Sequence, residues 1–176
     1  MNDANESTTE WSSGEGQQLA EESRVQPTDV TAKNTPTMMQ DGGHRNGISP
    51  GFDELVRLAE ATVRVYSPAE AINLLSETDV LFVDVRDAIE LSGGKIRGAI
   101  HASRGRLEAH LDPATRRYRR ELADADQIIF YCASGARSAL AAQRAQELGY
   151  MSVGHIDGGI SAWKGVGGPM KPIEEG

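Results

Sequence analysis

The sequence predicts an α/β domain built on a largely parallel sheet. Two observations carry this prediction. Val80-Leu81-Phe82-Val83-Asp84-Val85 and Gln127-Ile128-Ile129-Phe130-Tyr131 are near-continuous apolar runs of strand length, the pattern of strands covered on both faces. Helix signals alternate with such runs along the chain, which is the order that builds parallel sheets.

The elements follow in order. Phe52, Leu55, Val56, Ala59 and Val63 fall on one helical face and predict a helical lead-in over 49–66. Ser67-Pro68-Ala69-Glu70 is a capping-box pattern with proline at the first helical position, so a second helix starts there. After the first apolar run come a polar helix candidate at 87–92, a turn at Gly93-Gly94 and a short strand at Ala99-Ile100-His101. The stretch from Arg104 to Glu121 is highly charged and predicts surface helices and loop. Arg137 to Leu148 is alanine-rich, and Gly149 stands where a left-handed stop is expected. Ser152 to Ile156 reads as a last strand, and Gly158 to Lys164 as a short final helix carrying Trp163. The domain is thus expected over 67–174, long enough for one hydrophobic core.

Residues 1–48 have another character. They are rich in Ser, Thr, Asn, Gln, Gly and acids, with Trp11 and Met38-Met39 as their few apolar points. Such a segment buries too little apolar area to offset its ordering entropy and is expected to be disordered.

Composition excludes several functions. The net charge of −8 over 176 residues argues against general nucleic-acid binding, which needs a basic footprint. No apolar run is long enough to span a bilayer, and the first residues read neither as a secretion signal nor as a transit peptide, so a cytoplasmic location is expected. A single cysteine allows neither an internal disulfide nor a cysteine zinc cluster. The four histidines have no metal-ligand spacing, so no metal site is expected.

That cysteine lies in the informative segment, Phe130-Tyr131-Cys132-Ala133-Ser134-Gly135-Ala136-Arg137-Ser138. It ends a buried strand, at the sheet edge where α/β domains bind ligands. The next helix presents unpaired N–H groups and the positive end of its dipole. Ala133, Ser134, Gly135 and Ala136 are small enough for the backbone to curl around an anion, and Arg137 adds a fixed cation. Together they favour the thiolate, the reactive form of the side chain.

Cys132-x-x-Gly135-x-Arg137-Ser138 after an apolar strand resembles the active-site loop of rhodanese-like sulfurtransferases. Asp84-Val85-Arg86-Asp87 with Glu90 looks like the family's first signature. Gly94-Lys95-Ile96-Arg97-Gly98-Ala99-Ile100-His101 resembles its second, with Lys95 and Arg97 in place of the usual His and Pro. Gly158-Gly159-Ile160-Ser161-Ala162-Trp163 with Gly168-Pro169 resembles its closing motif.

The resemblance spans 67–172 and implies a single rhodanese-like fold, a parallel sheet of about five strands flanked by helices on both faces, with no metal or organic cofactor. It implies that Cys132 takes a sulfur atom from thiosulfate or a persulfide donor, holds it as a persulfide and passes it to cyanide or an external thiol, with a protein relay partner as a further acceptor. Residues 133–138 are then the substrate-binding loop. Asp84 is placed to hydrogen-bond that loop, and Arg86 to pair with Glu90 or Asp87, both in supporting roles. Two rival readings stand beside this one. One is a noncatalytic sulfur carrier or redox-sensing module. The other is a cysteine phosphatase or arsenate reductase of the same fold, whose loops hold five residues between Cys and Arg where this chain has four.

Overall fold

The computed structural model describes residues 50–172; the acidic segment 1–48 lies outside them. The described chain runs α1 (Phe52–Glu60), β1 (Arg64–Tyr66), α2 (Pro68–Asn73), β2 (Val80–Asp84), a 3₁₀ turn at Ala88–Gly93, β3 (Lys95–Ile96) and β4 (Ile100–His101). It continues through α3 (Leu107–Leu111), α4 (Arg120–Asp124), β5 (Gln127–Tyr131), α5 (Ala136–Glu147), β6 (Val153–Ile156), α6 (Gly159–Gly165) and β7 (Met170–Lys171).

Five strands form one sheet in the order β1-β6-β5-β2-β4, and every pairing in it is parallel. The two apolar runs are the neighbouring strands β2 and β5, paired from Val80↔Gln127 to Asp84↔Tyr131. Their side chains alternate between two cores, as the two-residue period of a strand requires. Val83, Ile128 and Phe130 pack with Leu107, Leu111, Leu122, Ala141 and Ala145 beneath α3, α4 and α5. Phe82, Ile129 and Tyr131 pack with Ala71, Ile156, Ile160 and Trp163 beneath α2 and α6. Helices therefore cover both faces, and the α/β parallel-sheet expectation holds.

Local chemistry sets the element ends. The Ser67 hydroxyl accepts the Glu70 amide at 3.3 Å, and the Glu70 carboxylate accepts the Ser67 amide at 2.8 Å, closing the capping box that starts α2. The stop after α5 places Gly149 at φ 96°, the left-handed conformation in which glycine carries no steric cost.

Three parts of the chain differ from expectation. α1 ends at Glu60, and residues 64–66, expected as the end of a helical lead-in, form the edge strand β1 against β6. Val63 meets the core from the turn between them, which is why its spacing mimicked a longer helical face. A small antiparallel pair, β3 with β7, was not expected and ties the second motif to the chain's end. The charged stretch after β4 contributes α3 and α4, whose Leu107, Leu111 and Leu122 are core residues.

Candidate active site

β5 is the middle strand of the sheet, and Cys132 follows its last residue. The side chain continues the strand's alternation into the core beneath α5 and is 1% exposed. The chain then turns through Ala133 and Ser134 to Gly135, which precedes α5. Gly135 adopts φ 103°, a conformation that side-chain-bearing residues avoid, and a Cβ there would press on the Gly158 amide at 3.2 Å. This turn aims the Gly135 N–H at Cys132 Sγ, 3.2 Å away. Ser138 Oγ lies 3.6 Å from the same sulfur and 2.8 Å from the Gly135 carbonyl. The hydroxyl has one proton for two acceptors, and the shorter distance favours the carbonyl, so Ser138 clamps the loop as well as facing the sulfur.

A second element holds the loop from outside. Ile160 N–H donates to the Cys132 carbonyl at 2.8 Å and Ser161 N–H to the Ala133 carbonyl at 3.2 Å, so the first turn of α6 grips the two residues that begin the loop. The grip requires Gly159 at φ 57°, where a Cβ would come within 2.5 Å of the Cys132 oxygen. Trp163 secures α6 beneath: it is fully buried, stacks edge-on against Phe82 at 6.0 Å, and donates from Nε1 to the Pro169 carbonyl.

Arg137 stands in the first turn of α5. Its guanidinium donates to both carboxylate oxygens of Glu90, at 2.6 and 2.8 Å, and lies 3.6 Å from Asp87. This is the planar two-bond pairing that suits a guanidinium and a carboxylate. The Arg137 partner, followed by the Asp87 amide at 3.0 Å, pushes Glu90 down to about 2 against the opposing effect of burial. Glu90 in turn raises Arg137 above its ordinary value.

Asp84 and Arg86 are both buried and bind each other. Arg86 Nη2 donates to Asp84 Oδ2 at 2.7 Å and Nε to Oδ1 at 3.0 Å, and the Arg86 amide reaches Oδ1 at 3.0 Å. The same guanidinium donates to the carbonyls of Glu90 at 3.0 Å and Gly94 at 2.8 Å. Burial works against the Arg86 cation, and the Asp84 carboxylate more than offsets it. The geometry corrects two expectations. Asp84 bonds Arg86 instead of the loop around Cys132, because the buried guanidinium occupies its carboxylate. Arg86 takes only the main-chain oxygen of Glu90, because that carboxylate turns to Arg137.

The structure thus brings Cys132, Ala133, Gly135, Arg137 and Ser138 together, leaves Ser134 exposed, and begins α5 at Ala136. Sequence reasoning missed the Glu90 carboxylate and the Gly159–Ile160 grip. The spacing of Asp87 and Glu90 signals only a local cap, which also exists, while the arginine lies 47 residues away. Among the described residues there is no cluster of acidic, histidine or cysteine side chains suited to a metal ion, and no helix long and apolar enough to cross a membrane.

Known proteins are similar to this chain in sequence and in fold. A sulfurtransferase of Allochromatium vinosum is 35% identical over 97 residues, covering 55% of this chain and 83% of that protein. A protein of unknown function from Rhodopseudomonas palustris, described as a possible tyrosine phosphatase, superposes with a TM-score of 0.69 at 37% identity, over 73% of this chain and all of that one. The polysulfide-sulfur transferase homodimer of Wolinella succinogenes superposes with a TM-score of 0.53 at 30% identity, over 70% of this chain and 89% of its own. The model of the rhodanese-like domain matches residues 67–165, a span holding Asp84, Glu90, the Cys132 loop and α6. By its fold, its loop and this match, the chain belongs to the rhodanese-like domain family, with sulfurtransferases among its relatives.

Proposed function

We propose that the protein is a sulfurtransferase that carries sulfane sulfur on Cys132. The observation that bears most weight is the Gly135 N–H pointing at Sγ from 3.2 Å, at the carboxyl end of the central strand and before a helix start. A donor so placed stabilises negative charge on sulfur, first on the thiolate and then on the persulfide. The Cys132 thiolate attacks the sulfane sulfur of thiosulfate or a persulfide. A new S–S bond forms on Cys132, the donor's bond breaks, and sulfite or a thiolate departs with the electron pair. Cyanide or an external thiol then attacks the outer sulfur and regenerates the Cys132 thiolate, a covalent double displacement. The sequence holds no second cysteine, so the acceptor comes from outside the chain.

Intact-mass measurement after incubation with thiosulfate or an organic persulfide tests this reading. The expected result is one added sulfur atom, removed by cyanide and absent in Cys132→Ser. No adduct with any persulfide donor would overturn it. An adduct that forms without turnover on free acceptors would assign the domain to a carrier role.

The phosphatase reading draws on the description of the Rhodopseudomonas palustris neighbour. Against it stand the four residues between Cys132 and Arg137, and an Arg137 guanidinium already bound through two bonds to Glu90. Aryl phosphate turnover that vanishes in Cys132→Ser would reverse this choice.

A further inference from the structure

Arg137 is the one cation between Cys132 and Ser138, since Ala133, Ser134, Gly135 and Ala136 are uncharged. Its guanidinium is already neutralised. Glu90 binds it through two bonds, and the exposed Asp87 carboxylate stands 3.6 Å away, so the group carries one more negative charge than positive. Glu90 cannot easily turn aside, because its carboxylate also accepts the Asp87 amide and its carbonyl accepts Arg86. A carboxyl group held near 2 stays ionised throughout the physiological range. Three cations on other segments are engaged as well. Arg86 is taken by Asp84, Arg104 pairs with Glu108 at 3.0 Å, and Lys164 donates to the Gly93 carbonyl at 3.1 Å. On the same turn as Glu90, Ile89 is 85% exposed and presents apolar surface beside the acidic pair.

The two donor classes differ in the end that leaves. Thiosulfate leaves as sulfite, a compact dianion that needs a free cation at the rim. An organic persulfide leaves as a thiolate attached to a carbon body, which needs room and apolar contact rather than an oxyanion site. We propose that Glu90 is a specificity-determining residue that withholds Arg137 from sulfonate-type donors and so tunes Cys132 to organic persulfides. This rests on the sulfurtransferase reading and narrows it. Glu90 acts through Arg137 and is a positioning residue. In the favoured reaction the Cys132 thiolate attacks the outer sulfur of R–S–SH, the S–S bond breaks, and R–S⁻ leaves with the electron pair, so no external oxidant or reductant enters.

The test uses the full chain with thiosulfate and glutathione persulfide as donors and cyanide as common acceptor. The wild type is expected to show the higher kcat/KM with the persulfide. Glu90→Gln keeps an acceptor for the Asp87 amide but frees the Arg137 charge. The ratio of the two efficiencies should shift toward thiosulfate by about two- to five-fold, the range for releasing one partly exposed ion pair. The shift should fall on the thiosulfate KM and be matched by tighter competitive inhibition by sulfite, neither of which a purely structural role produces. Asp87→Asn, on an exposed side chain, should move the ratio less and in the same direction, and it decides the matter if Glu90→Gln does not fold. A wild type that prefers thiosulfate, or a ratio unmoved in the folded variants, overturns the role of Glu90 and leaves sulfur transfer standing. Absence of a Cys132 adduct from either donor overturns both.

Discussion

Gly159 lies so close to the carbonyl of Cys132 that a single added methyl group would come within 2.5 Å of the oxygen. The contact joins two motifs that are 27 residues apart in sequence. It makes the start of α6 a fixed wall for the loop, because the Ile160 and Ser161 amides can reach the carbonyls of Cys132 and Ala133 only at this approach.

Gly159→Ala is therefore expected to destabilise the domain by about 2–4 kcal/mol, adding a backbone clash to the cost of a left-handed alanine. Sulfur loading of Cys132 should fall with it. Gly98→Ala is the control, since Gly98 has a similar φ of 81° but open space around its missing Cβ. Denaturant midpoints check the pair, and equal losses would refute the clash.

Arg86→Ala should cost about 3–5 kcal/mol, the range for leaving a buried charge without its partner. The Asp84 carboxylate would stay fully buried, and the carbonyls of Glu90 and Gly94 would lose their donor. The paired replacement Asp84→Leu with Arg86→Met should recover part of the loss, but not the share owed to the two carbonyls. Urea titration of Asp84→Leu, Arg86→Met and the double variant measures the coupling, and strict additivity would show that the pair does not act as a unit.

His155 on β6 is fully buried, and neither ring nitrogen has a hydrogen-bond partner. Burial lowers its pKa below 6.5, and the opposing pull of Glu60, 3.8 Å from Nε2, and of Asp157 does not overcome it. The unfolded chain therefore takes up this proton at a higher pH than the folded one. The contribution to stability is complete above the unfolded value of 6.5 and is lost as pH falls through it toward the folded one. Urea unfolding at about pH 7.5 and about pH 5.5, on either side of the ordinary histidine value, should show this loss in the wild type and a flatter response in His155→Leu. Equal pH responses would remove His155 as the cause.

Much of this molecule is legible in its sequence where one short segment carries the whole signal. β2 and β5 read as buried strands because both faces of each are apolar, and the loop after β5 reads as a site because nucleophile, small residues and arginine are contiguous. β1 was hidden because three residues cannot display a period, and its exposed Arg64 and Val65 look like any surface turn. The pairing of β3 with β7 depends on partners more than seventy residues apart. Glu90 is the instructive case. Its spacing from Asp87 correctly signals a cap, and nothing local reveals that the same carboxylate also reaches the loop around Cys132.

The burial of Cys132 has a kinetic consequence. The chain's single sulfhydryl is sealed to 1% exposure, beneath a loop gripped from one side by α6 and anchored in the middle strand of the sheet. Alkylating reagents whose reacting carbon is set in a bulky ring can reach it only when that loop lifts, whereas the slender terminal sulfur of a persulfide and a two-atom species such as cyanide face a far smaller barrier. The labelling rate of the native protein by a large maleimide thus becomes a clock for loop opening, and the size of the electrophile sets what the clock counts.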